Sequence, residues 1–330
     1  MSFKDILGHQ RPIRLLQRAI QNEKVVNSYL FLGSEGIGKS RVALQFAKAL
    51  NCLEGEHQID GCDRCISCKK IDHRLHPDVS LIEPEGQTLK IDQVREMQRT
   101  LAYRPYEGRR RVVVLTAADR MMPHMSNVLL KTLEEPPRHT VIILLAISPK
   151  WILPTILSRC QSIRFNPLPS YLVSDWLIKE KGLEESEAHL LASLSEGSPG
   201  KALEIKEEIA NIERRKLLKS WVGSKSLSIE EKEAWIESLP TQPSERESLH
   251  LILEMAKTLL RDLIVLKTSD KGFGMIHSDL IEEIKEVAER WNLSSLLKRM
   301  EILHQTSQAI RSNANPRLSL EAMMLSWAKG

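Results

Sequence analysis

Apolar residues in the first half of the chain follow two spacings in turn. The runs Tyr29–Leu32, Val79–Ile82, Val112–Leu115 and Val141–Ala146, with Ser162–Phe165 as a fifth, read as buried strands. Strands covered on both faces lose the alternation of apolar and polar positions and become nearly continuous apolar runs. Between them the spacing is helical: Ile13, Leu16 and Ile20; Val42, Phe46, Ala49 and Leu50 within Arg41–Leu50; Val94, Met97 and Leu101 within Ile91–Leu101. A further helix, Met125–Glu135, is stopped by Pro136-Pro137. The pattern predicts a three-layer α/β domain with a parallel sheet over residues 1–165.

Asn166-Pro167-Leu168-Pro169 then forms a hinge-like boundary. Short helical patterns carrying Leu172, Trp176, Leu190, Leu191 and Leu194 run up to Gly197-Ser198-Pro199-Gly200, which predicts a small helical lid over 166–207. From 208 to 330 the pattern is helical throughout, with Ile252, Met255, Leu259, Leu260 and Leu263 marking one long helix and Leu296–Ile310 another. There is no internal repeat.

A chain of 330 residues is long enough for two or three cores. Its net charge of +4 permits contact with nucleic acid without arguing for it. Lys4 and Asp5 interrupt the N-terminus, so no secretory signal is expected there. Val141–Ile147, the longest apolar stretch, is too short to span a bilayer, and a cytoplasmic protein with no membrane contact is the expectation. Four of the five cysteines crowd together as Cys52, Cys62, Cys65 and Cys68. In a reducing compartment that clustering favours a metal over disulfides, and four sulfurs suit a closed, tetrahedral, structural zinc site. The alternatives are a set of unligated thiols, or a redox or iron–sulfur role. His57, His73 and His76 lie nearby but are not needed to complete the shell.

Gly33-Ser34-Glu35-Gly36-Ile37-Gly38-Lys39-Ser40 fits the phosphate-loop pattern GxxxxGK[ST], between a strand and a helix. Gly33, Glu35, Gly36 and Gly38 place backbone N–H groups around phosphate oxygens, Lys39 reaches the terminal phosphates and Ser40 a magnesium ion, so ATP or ADP with Mg2+ is the expected ligand. The partner strand should end in acids that hold the metal and polarise water. It runs instead into Thr116-Ala117-Ala118-Asp119. The chain reads as one that grips a nucleotide without readily splitting it.

Phosphate loop, α/β core, helical lid and helical third domain together resemble the AAA+ architecture. Ala118-Asp119-Arg120-Met121, Asn127 through Pro137 (NVLLKTLEEPP) and Ile156-Leu157-Ser158-Arg159-Cys160 look like the bacterial DNA polymerase III clamp loader, as does the cysteine knuckle behind the phosphate-loop helix. In that family the motor chains carry an acidic pair where this chain has Thr116 and Ala117, and the degeneracy resembles the delta-prime type of chain, the stationary member of the ring. The resemblance implies that Arg159 projects into the neighbouring subunit's nucleotide site as an arginine finger. A guanidinium there neutralises charge on the transferred phosphoryl group. It also implies that Lys201 contacts bound nucleotide from the lid, that 208–330 is an oligomerisation domain, and that the partners are other loader subunits, the sliding clamp and primed DNA. The alternative for Arg159 is pairing with an acid on its own surface. Arg104, Arg109, Arg110 and Arg111 read as a basic patch without interleaved aromatics, equally consistent with DNA phosphates or a solvated edge, and Trp151 and Trp176 read as core. Two rival functions stay open: an active motor ATPase, and a zinc-dependent nucleic-acid-binding module.

Overall fold

The expected strands pair into one parallel sheet. In the computed structural model, which describes residues 2–54, 59–86, 88–210, 212–218, 229–242, 245–268 and 274–328, these are β1 (Ser28–Leu32), β2 (Val79–Ile82), β3 (Arg111–Leu115), β4 (Thr140–Ala146) and β5 (Gln161–Arg164). Their order in the sheet is β2-β3-β4-β1-β5. Four of the five strands begin a residue before the runs read from the sequence because ladder hydrogen bonds, not hydrophobicity, set strand ends. Arg111 pairs with Thr140, and Ser28 with Ile142.

Successive side chains of each strand point to opposite faces, so one strand supplies two cores. Tyr29 and Phe31 of β1 enter one cluster with Val112, Val114, Ile143 and Phe46, against α1 (Gln10–Gln21) and α2 (Lys39–Asn51). Leu30 and Leu32 enter the other with Val113, Leu115, Ile142 and Leu144, against α4 (Ile91–Leu101) and α5 (Pro123–Glu134). Between α2 and β2 lies α3 (Ile66–Asp72), and before β5 the short α6 (Pro154–Leu157). Each fully buried Phe or Leu contributes on the order of 1.5–3 kcal/mol. A sheet buried on both faces is therefore a stiff platform for whatever its strand ends carry.

The chain divides into two compact units, Met1–Leu172 with Gly197–Lys201, and Val173–Glu196 with Ala202–Gly330. The second unit holds most of α7 (Ser170–Lys181), α8 (Glu185–Leu194), most of α9 (Pro199–Ala210), α10 (Arg214–Lys216), α11 (Ile229–Glu237), α12 (Arg246–Thr268), α13 (Ile281–Glu289), α14 (Leu293–Arg311) and α15 (Pro316–Ala328). The long α12 is its axis, burying Leu249, Leu253, Met255, Leu259, Leu260 and Leu263. The buried Asp262 carboxylate accepts the backbone N–H groups of Ile276 and His277. The body of the segment expected as a lid is thus grouped with the C-terminal helices, and only its first residues, up to Leu172, and Gly197–Lys201 belong with the sheet.

Trp151 corrects the sequence reading: it is 73% exposed rather than core. It ends a 3₁₀ turn, Pro149–Trp151, after β4, and the next residue, Ile152, takes the inward place. Trp176 is half-buried, with the Lys181 ammonium 5.5 Å from its ring. No described helix is long and apolar enough to cross a membrane.

Candidate functional site

The glycine-rich loop leaves β1 at Gly33 and enters α2 at Lys39, at the C-terminal edge of the sheet. Gly36 has φ +70, and a Cβ there would lie 2.6 Å from Ser198 Oγ and 2.8 Å from the Lys201 backbone nitrogen, so only glycine fits. The loop is fastened to the 197–201 segment: Gly200 N–H donates to Gly36 O at 2.9 Å, and Ser198 Oγ to Glu35 O at 2.8 Å. The structure therefore brings Lys201 beside the loop, with its N–H donating to Ser198 Oγ. Beneath the loop the buried His9 ring lies 2.8 Å through Nε2 from Ile37 O and packs edge-on against Phe165. Burial holds His9 below its ordinary range, the Ile37 hydrogen bond opposes this and Lys39 adds to it, so the neutral ring donates to the carbonyl. No motif singles out His9; its role rests on a contact across 28 residues.

Glu35, Gly36, Gly38, Lys39 and Ser40 line a cavity of about 430 Å³ together with Thr116, Ala117 and the end of β4. Lys39 is buried, and its ammonium donates to Gly33 O at 2.5 Å and Ser34 O at 2.7 Å. Burial brings its pKa down to about 8, while Asp119 and then Glu35 oppose the shift.

The strand end is without acids, as read from the sequence, but the cavity is not. At the strand end Ala117 has no carboxylate, and the Thr116 hydroxyl donates to Ile82 O at 3.2 Å. Asp119 and Glu83 nevertheless line the same cavity as Glu35. The Asp119 Oδ1 atom is buried with no hydrogen-bond partner among the described residues. Glu83 was not legible as a site residue because it follows β2, a separate stretch of chain that β3 brings alongside. Glu35 itself pairs with Arg120 at 3.1 Å.

The four cysteines do come together. Cys52 caps the C-terminus of α2, Cys65 caps the N-terminus of α3, and all four Sγ atoms lie within 4.8 Å of one another. None of the four forms a disulfide with another described cysteine. Four sulfurs about 2.3 Å from one ion sit about 3.8 Å apart, and Cys62 and Cys68 lie 3.9 Å apart. Backbone N–H groups of Cys65 and Cys68 donate to the sulfurs of Cys62 and Cys65. The set fits a tetrahedral metal, and these four residues would hold it. Beside it the fully buried Lys48 ammonium bonds both Asp63 and Asp72, tying the knuckle to α2. His57 lies outside the described residues. His73 Nδ1 donates to Lys69 O in the last turn of α3, and His76 is buried beside Asp78.

Arg159 is about one third exposed, just past α6. Its guanidinium pairs with Glu134 Oε1 at 2.7 Å and donates to Thr155 O at 3.0 Å. The pairing weighed as an alternative is therefore present within the chain, joining two of the motifs quoted above. The following Cys160 thiol is pushed up to about 12 by burial.

Two family models match this chain. One, described as DNA polymerase III, delta subunit, matches residues 8–169; the other, DNA polymerase III, delta subunit, C terminal, matches 202–329. The chain is 29% identical to DNA polymerase III subunit delta' of Bacillus subtilis over 100% of its own length and 99% of the relative's. It is 30% identical to DNA polymerase III subunit delta' of Pseudomonas aeruginosa, over 92% of each chain. To DNA polymerase III subunit tau of Bacillus subtilis it is 26% identical, covering 98% of itself and 61% of that longer protein.

Proposed function

We propose a function for a chain that belongs to the delta-prime, gamma and tau family of DNA polymerase III clamp-loader subunits: it is the delta-prime-like member, binding nucleotide without turning it over and lending Arg159 to the ATPase site of the adjoining subunit. The helical residues 208–330 hold it in a hetero-oligomeric ring, 166–207 form a lid to the nucleotide, and Lys201 meets that nucleotide from the lid. The ring places a sliding clamp on primed DNA in the cytoplasm. Zinc on Cys52, Cys62, Cys65 and Cys68 is structural.

One observation carries the reading. The two positions where a motor chain of this family needs its acids hold Thr116 and Ala117, and the Thr116 hydroxyl is already bonded to a backbone carbonyl. Such a site receives phosphates on Lys39 and the loop but lacks the base position that turns water on the γ-phosphate. Arg159 supports the second half. It is accessible, always charged, and its intramolecular partner Glu134 is a half-exposed carboxylate. An exposed pair of this kind is worth about 0–1 kcal/mol, little against the charge of a triphosphate in a neighbouring site.

The test is a loader reconstituted with Arg159→Ala. Turnover at the adjoining site should fall on the order of 10³-fold, with assembly unchanged; undiminished clamp-stimulated ATPase would remove the finger. An active motor is the second reading, and it is favoured by Asp119 and Glu83 in the cavity. Purified chain hydrolysing ATP at motor-like rates, abolished by both Lys39→Ala and Asp119→Asn, would establish that reading in place of the first.

A further inference from the structure

The turn between α4 and β3, residues 102–110, is built from beneath by buried acceptors. Asp78, whose carboxylate is fully buried, accepts the N–H groups of Tyr106 at 2.7 Å, Glu107 at 2.9 Å and Gly108 at 2.8 Å, and the Arg111 guanidinium at 2.9 Å. Burial works against its charge, but these donors hold the carboxyl below its ordinary range. Asn51, also buried, accepts Arg110 N–H at 2.9 Å. A Cβ on Gly108 would fall 2.7 Å from that same Asn51 oxygen. The backbone of the turn is thus spent inward, and what it offers to solvent is side chains.

Those side chains are unusual for a solvated edge. Tyr103 is 73% exposed and Tyr106 84%. The sequence Tyr103-Arg104-Pro105-Tyr106 therefore interleaves aromatics with the basic residues, which the sequence reading passed over. Arg111 leaves the expected patch, since it is drawn into the Asp78 cage. Arg104 and Arg109 remain exposed, and Arg104 has no acidic partner among the described residues. The turn's acid, Glu107, is neutralised by Lys70 at 2.6 Å. The result is a fixed, cationic surface with two free aromatic faces.

We propose that this turn binds single-stranded nucleic acid, with bases stacking on Tyr103 and Tyr106 and phosphates meeting Arg104 and Arg109. Stacking on aromatic rings combined with a basic track is the general physics of sequence-tolerant single-strand binding. A backbone already held in place loses little further freedom on binding. The surface is separate from the nucleotide cavity: the turn precedes the first residue of β3 and the cavity follows its last, so they lie a strand's length apart, about 17 Å. It goes beyond the function proposed above, because neither the phosphate loop nor Arg159 takes part.

The experiment is a fluorescence-anisotropy titration of the full chain with a labelled oligothymidylate of about twenty nucleotides, at salt concentrations between about 50 and 200 mM. The pair Tyr103→Ala/Tyr106→Ala should weaken binding by about tenfold or more, and Tyr103→Phe/Tyr106→Phe should stay within about twofold, since stacking needs the ring and not the hydroxyl. Arg104→Gln should reduce the slope of log affinity against log salt by about 0.7. Failure of the oligothymidylate to bind, unchanged affinity in the alanine pair, or preference for duplex of equal length would overturn the proposal. So would an alanine pair that binds the oligothymidylate normally but no longer joins the other loader subunits, which would make the turn a protein-docking surface. Unchanged melting curves of the variants would show that the substitutions act at the surface and not through unfolding.

Discussion

Lys39 is a cation held where water cannot easily reach it, and this gives the site a pH signature. Its pKa of about 8 lies well below the ordinary 10.5 because burial penalises the ammonium more than Asp119 and Glu35 support it. In the folded chain alone, that penalty is present below pH 8 and fades as pH rises toward 10.5, so the shift by itself favours the fold at high pH. Phosphate binding has the opposite sign, because only the ammonium attracts phosphate. Calorimetric titration with a non-hydrolysable ATP analogue should show affinity falling about tenfold between pH 7 and pH 9. Lys39→Met should bind weakly at both pH values and lose that dependence; a pH-independent wild-type affinity would show that Lys39 does not carry the contact. At this same scale the sequence was least complete. The phosphate loop stood out because its pattern is contiguous, whereas His9, Glu83 and Asp119 enter the site through pairings with Ile37, β3 and Lys39 that no local spacing marks.

The cysteine knuckle shows how an element too small for its own core is kept folded. It is closed by the four sulfurs at one point and by Lys48, Asp63 and Asp72 at another. Lys48 is fully buried while its two aspartates are about one third exposed, so the pairs are partly screened by solvent. Lys48→Ala removes a buried stem and strands two carboxylates, and should cost about 2–4 kcal/mol in chemical denaturation. Displacing the metal with a thiol reagent and chelator should release one zinc per chain and raise amide exchange across 62–72 before the sheet loosens. No zinc released would leave four unligated thiols. The cysteine spacing made this element visible in advance; Lys48 was not, because a lysine on an amphipathic helix reads as solvent-facing until Asp63 and Asp72 are folded over it.

Across the whole chain, two compact units share one polypeptide, and the phosphate loop with its 197–201 brace belongs to the first. Scanning calorimetry should resolve two transitions, and an ATP analogue at about a hundred times its Kd should raise only one of them, by about 5–10 °C. A single transition moving as a whole would mean the units unfold cooperatively. The sequence by itself determined the α/β core, the order of its elements, the phosphate-loop pattern, the clustering of four cysteines and the helical C-terminal half, because each depends on residues close together in the chain. Only the tertiary structure decided which acids share a cavity with Lys39, that Glu134 holds Arg159, that Trp151 faces out, and that Asp78 fixes the turn from which Tyr106 faces solvent. Those facts depend on which strands become neighbours and which loops a buried carboxylate pulls inward, and such long-range pairings leave no period in the sequence to read.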